Sequence, residues 1–224
     1  METTNTANQT TSVQFSGVSS SLGTTILRVA WMSIVLAIII QILSLFALAG
    51  VGPLADFKTI VSEFVQKITW ATIVCTGIAF GKVASKLQPQ AMGLLGFLAA
   101  PTGFTVARAA QKSVAEALKN AAPVAGGASP FLLAGLKALE YAVLGLIIGW
   151  LGKRAWGGAL AHVTVGLGIG IIGGGTCLAV MDWYNPTPLT LPALLYRGVN
   201  EVIFPVGCSL VLFAAERVGK RLGK

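Results

Sequence analysis

Six ionisable side chains lie inside long apolar runs of this sequence. Glu63 and Lys67 are four residues apart, Lys137 and Glu140 three, and Arg197 and Glu201 four, with Asn200 beside the last. On a helix each spacing puts both charges on one face. An isolated charge at the centre of a bilayer costs about 3 kcal/mol, so six of them pointing at lipid would be prohibitive. They are expected to face one another or a watery cavity. Two roles fit. Each pair neutralises itself along its own helix and ties a bundle together, or the layer Glu63, Lys67, Lys137, Glu140, Arg197, Asn200 and Glu201 lines a path for an ion or small polar solute. Glu201 is the leading candidate for the second role, because it lies near mid-span, beside Asn200 and one turn before Pro205.

Other chemistry is scarce. There is one histidine, His162, and three cysteines, Cys75, Cys177 and Cys208, with no CxxC. These numbers do not build a metal cage at ordinary ligand counts, so no metal site and no cofactor are expected. The cysteines read as small packing residues. His162 reads as a hydrogen-bonded residue near the membrane boundary, with a proton relay as the sharper alternative. No Ser-His-Asp set, HExxH motif or cofactor fingerprint occurs, and no enzymatic activity is expected.

The elements that must position the charges follow from composition. The chain has 224 residues, 54% hydrophobic and only 11% charged, with a mean hydropathy of +0.78. Soluble domains carry about 25% charged residues, so most of this surface is expected to meet lipid. Lipid offers no partner for unpaired backbone groups, which leaves helices or closed barrels. The apolar runs are continuous rather than alternating over about ten residues, which excludes the barrel. The prediction is an all-α, polytopic membrane bundle of about six spans, each needing about 20 apolar residues.

The spans are expected at 26–51, from Asp56 to about Gly81, after Pro89, from Pro130 to about Trp150, at 157–181, and from Thr190 to about Ala215. Residues 1–25, rich in Thr, Ser, Asn and Gln, read as a flexible polar tail. Residues 26–215 form the bundle, and 216–224 a basic tail. Ser129 before Pro130 is a helix-start signal. The third and sixth spans are expected to be broken at Pro101 and Pro205. The triplets Pro101-Thr-Gly103 and Pro205-Val-Gly207 echo each other, as in three-plus-three inverted repeats. In the fifth span Gly166, Gly170 and Gly174 make a GxxxGxxxG row, which lets backbones approach closely. The row packs within the bundle or between subunits.

The net charge is +8. The basic residues sit mainly in short connections and at the C-terminus, which is a topology signal rather than a nucleic-acid footprint. Six spans place the C-terminal tail, Lys153–Arg154 and the Lys82 connection on the cytoplasmic side of a cell (inner) membrane, with both termini cytoplasmic. Arg108, Lys112 and Lys119 fit poorly, and a re-entrant third segment would keep them inside. The functional expectation is a small channel or transporter, a homo-oligomer in membrane lipid. The alternative is a non-catalytic structural or assembly subunit of a heteromeric membrane complex, docked through its glycine face.

Overall fold

A computed structural model describes residues 5–53, 55–84, 87–120 and 127–222, with side chains described over 23–53, 55–83, 87–120 and 127–218. Lys86, most of the uncharged linker and Lys224 lie outside the described residues. All regular structure among the described residues is helical. The elements are α1 (Asn5–Ala49), α2 (Phe57–Ala84), α3 (Gln88–Ala117), α4 (Pro130–Leu151), α5 (Ala159–Ile169), a π-helical turn (Gly170–Gly174), α6 (Gly175–Trp183) and α7 (Leu191–Leu222). Six stretches are long and apolar enough to cross a membrane, with α5, the π turn and α6 forming the fifth.

Each span packs on its neighbours in chain order: α1 on α2, α2 on α3, α3 on α4, α4 on α5 and α5 on α7. Contact between α7 and α1 closes the ring. Polar residues that would be costly in oil point inward, while Trp31, Phe46, Phe131, Leu160 and Ile172 point out, as a lipid-facing surface requires.

The axis of the ring is filled in two layers. Trp70 of α2, Tyr141 of α4 and Phe204 of α7 meet edge to face, with ring centroids 5.5 to 6.1 Å apart, the geometry favoured by ring quadrupoles. Beyond them Val74, Ile78, Leu144, Ile148, Val211 and Leu212 form a continuous apolar core. At the end of that core, Lys82 pairs with Glu216 between α2 and α7.

One expectation changes. Pro101 and Pro205 both lie inside unbroken helices. A proline removes one backbone donor, but neighbouring hydroxyls and helices offset that loss in membrane helices. Around Pro101, Thr102 donates to Leu98 O at 2.8 Å and Thr105 to Pro101 O at 3.1 Å. The irregular span is the fifth, whose π turn coincides with its glycines. The third segment, expected to span, is one continuous 30-residue helix. At 1.5 Å per residue this is about 45 Å, long enough to span rather than re-enter. Helix is continuous from Asn5 in α1 and to Leu222 in α7.

Candidate functional site

The charged layer forms because α2, α4 and α7 run in one direction and carry their ionisable residues in their first halves. The antiparallel α3 brings the second half of its length to the same level. Together with α6 they enclose a cavity of about 230 Å³ directly above the aromatic trio. Glu63 and Lys67 (α2), Arg108 (α3), Lys137 (α4), and Arg197, Asn200 and Glu201 (α7) line it. Glu140 lies just behind, with its side chain 1% exposed. All seven residues singled out in the sequence are therefore close together.

Their pairing is different from the expected one. Only Lys137 and Glu140 pair along their own helix, at 2.7 Å. Lys137 also pairs with Glu201 of α7, so one ammonium holds two carboxylates from two helices. Glu63 and Lys67 do not touch directly. Tyr196 of α7 stands between them, accepting from Lys67 Nζ at 2.9 Å and donating to a Glu63 carboxylate oxygen. Lys67 further donates to Gln41 Oε1 of α1 at 2.6 Å. Arg197 makes no ion pair with Glu201; its Nη1 reaches Met181 Sδ at 3.8 Å. The layer thus links α1, α2, α4 and α7 instead of neutralising each helix alone. Glu140 Oε1 and Asn200 Oδ1 are buried with no hydrogen-bond partner among the described residues.

The π turn borders this layer. A Cβ added to Gly173 would lie 2.6 Å from Glu140 Cγ, and one on Gly174 would lie 2.7 Å from Glu201 O. Gly166 and Gly170 likewise abut the backbone of α7 at Val206 and Val202. The glycine row is therefore packed within the chain, against the helix that carries Glu201. π turns inside α-helices occur frequently at functional sites.

Glu140, Cys177 and Glu201 bring ligand atoms within 4.8 Å of one another, a spacing that suits a metal ion. The Lys137 ammonium already lies on both carboxylates and neutralises the charge a metal would need. His162 is buried; its Nδ1 is 2.9 Å from Gly158 O and its ring lies 4.9 Å from that of Phe213. It does not line the cavity.

Three residues of the site, the cavity-lining Tyr196 and Arg108 and the Lys67 partner Gln41, were not legible as part of it. Tyr196 carried no charge to mark it. Gln41 lies in the most apolar span. Arg108 read only as a topology charge, although Phe104, Ala107, Arg108 and Gln111 have the three- and four-residue spacing of one helical face, and all four line the cavity. No protein-family model, curated protein or solved structure matches this chain.

Proposed function

We propose that the chain is a small membrane channel or transporter for an ion or small polar solute, with its path through the cavity above Trp70, Tyr141 and Phe204. The observation that supports this reading is the cavity itself. Six spans' worth of oil-soluble surface encloses about 230 Å³ lined by four basic and two acidic side chains. Buried charge in a membrane helix is a functional candidate by default, and here it borders open space rather than only neighbouring side chains. The aromatic trio and the apolar core close one end, so passage requires these helices to part. The Lys137–Glu140–Glu201 triad beside the π turn is the natural point of control, since moving α7 against α5 or α4 alters its ion pairs. No catalysis is assigned.

The supporting orientation is one with both termini cytoplasmic. Lys82, Lys153, Arg154 and Arg217 lie at the end of the bundle away from the cavity, which is the basic side that the positive-inside rule puts in the cytoplasm. The cavity then faces the outer half of the membrane. The alternative, an assembly subunit docked through the Gly166–Gly170–Gly174 row, loses its main support because α7 already occupies that row.

The test is flux in proteoliposomes of the purified full chain, with Glu201→Gln as the principal variant. Solute-dependent flux that Glu201→Gln lowers supports the reading. Unchanged flux in a folded Glu201→Gln protein removes Glu201 from the mechanism. Foreign chains that co-purify at fixed ratio in gentle detergent favour the subunit reading over a homo-oligomeric channel.

A further inference from the structure

The charged layer is not balanced. Four bases (Lys67, Arg108, Lys137 and Arg197) face three carboxylates (Glu63, Glu140 and Glu201). The carboxylates are already engaged: Glu63 by the Tyr196 hydroxyl, Glu140 and Glu201 by Lys137. Arg108 and Arg197 have no carboxylate within ion-pair distance among the described residues. Arg108 lies over the Phe104 ring at 5.0 Å, and Arg197 reaches only a thioether sulfur, a weak acceptor. Both line the same cavity. Two guanidinium groups that line one cavity without an ion-paired carboxylate offer a site for an anion.

The rest of the lining narrows the anion. A guanidinium presents a planar fork that matches a carboxylate by two parallel hydrogen bonds. The same lining includes apolar and aromatic side chains, Trp70, Leu133, Tyr141 and Phe204. The excess of one positive charge matches a monoanion. We propose that the cavity binds a small organic carboxylate, its anionic head between Arg108 and Arg197 and its apolar body against Trp70, Tyr141 and Phe204. The proposal deepens the transport reading by naming the solute class, and it rests on that reading only for movement across the membrane, not for binding.

Binding is tested without flux. Purified full-length protein in nanodiscs of neutral lipid is titrated with benzoate, with its uncharged isostere benzamide, and with inorganic phosphate, followed by calorimetry. The expected result is saturable binding of benzoate and none of benzamide or phosphate at the same concentrations. Arg108→Gln and Arg197→Gln each weaken benzoate by about tenfold or more, whereas Lys112→Gln, on the exposed side of α3, leaves it unchanged. Arg108→Lys and Arg197→Lys keep the fold's charge and recover part of the affinity if the glutamine variants fold poorly. Equal binding of benzamide, or benzoate affinity untouched by both arginine substitutions, overturns the proposal. Preference for phosphate overturns the organic carboxylate in favour of a simple oxyanion hole, and loss of benzoate binding only when phosphatidylglycerol is added identifies a lipid headgroup as the true occupant and also overturns it. Benzoate binding without flux in liposomes supports the site and sinks the transport reading.

Discussion

Substituting Gly170 by alanine separates packing from intrinsic helix preference. Alanine favours a helix over glycine by about 0.5 to 1 kcal/mol, so on helix propensity alone Gly170→Ala stabilises. The surroundings oppose this. A Cβ at Gly170 would lie 2.3 Å from Val202 O and 3.0 Å from Val202 Cα, both backbone atoms that cannot rotate away. Ordinary contact begins near 3.4 Å, so α5 and α7 must separate by roughly 1 Å, and overpacking of this kind costs about 1 to 3 kcal/mol. The steric term therefore wins. Gly168 is the matched control: it lies half a turn away on the same span, with nothing within 4 Å of an added Cβ. In detergent, thermal unfolding followed by Trp fluorescence should place Gly170→Ala below wild type by a few degrees, at about 2 to 4 °C per kcal/mol for a chain of this size. Gly168→Ala should match or exceed wild type. The displacement carries Glu201 away from Lys137, so flux through Gly170→Ala should fall as well. Equal melting temperatures for the two variants would refute the account of the glycine row as a close α5–α7 seam.

Further outcomes follow from the same structure. Lys137→Met leaves two buried carboxylates without their cation, at a cost of about 3 to 5 kcal/mol; the protein should be lost from the monodisperse fraction in size exclusion and recovered by adding Glu140→Gln and Glu201→Gln. Trp70→Ala with Phe204→Ala removes two sides of the aromatic trio, and an increased passive leak of a small fluorescent solute from liposomes is expected; an unchanged leak would mean that the apolar layer beneath is the barrier. Asp56 Oδ1 accepts the Thr59 amide at 2.7 Å at the start of α2, and this backbone bond holds its carboxyl below the ordinary value of 3.8. A lowered carboxylate contributes stability above its unfolded value and loses it as pH falls through the folded one, so the protection of the Thr59 amide, its exchange relative to the intrinsic rate at each pH, should fall below about pH 4 in wild type and be low at every pH in Asp56→Ala. Cys75 and Cys208 bring their sulfur atoms to 3.2 Å between α2 and α7; with Cys177→Ala, a membrane-permeant oxidant should form an intramolecular bridge, and labelling of both thiols after oxidation would contradict the packing.

What the sequence determined alone was the medium and the elements. A chain with 11% charged residues and six long apolar runs has one economical solution, since helices satisfy their own backbone groups without water. The level of the charges was also legible, because alternating helix direction converts position along each run into depth. Partnership was not. Spacing along one helix favours Glu63 with Lys67 and Arg197 with Glu201, but side-chain pairs of that kind are worth only about 0.2 to 0.5 kcal/mol, and the ring of helices offers stronger cross-helix partners. Tyr196 enters between Glu63 and Lys67, and Lys137 takes Glu201. The prolines were misleading for a related reason. Loss of one donor reads as a break in an isolated helix, whereas α3 and α7, packed against their neighbours, continue through Pro101 and Pro205. Only the tertiary structure decided that α7 fills the glycine row, that Arg108 lines the cavity, and that two arginines line it without an ion-paired carboxylate, because each depends on which helices become neighbours, and a one-dimensional pattern carries depth but not azimuth.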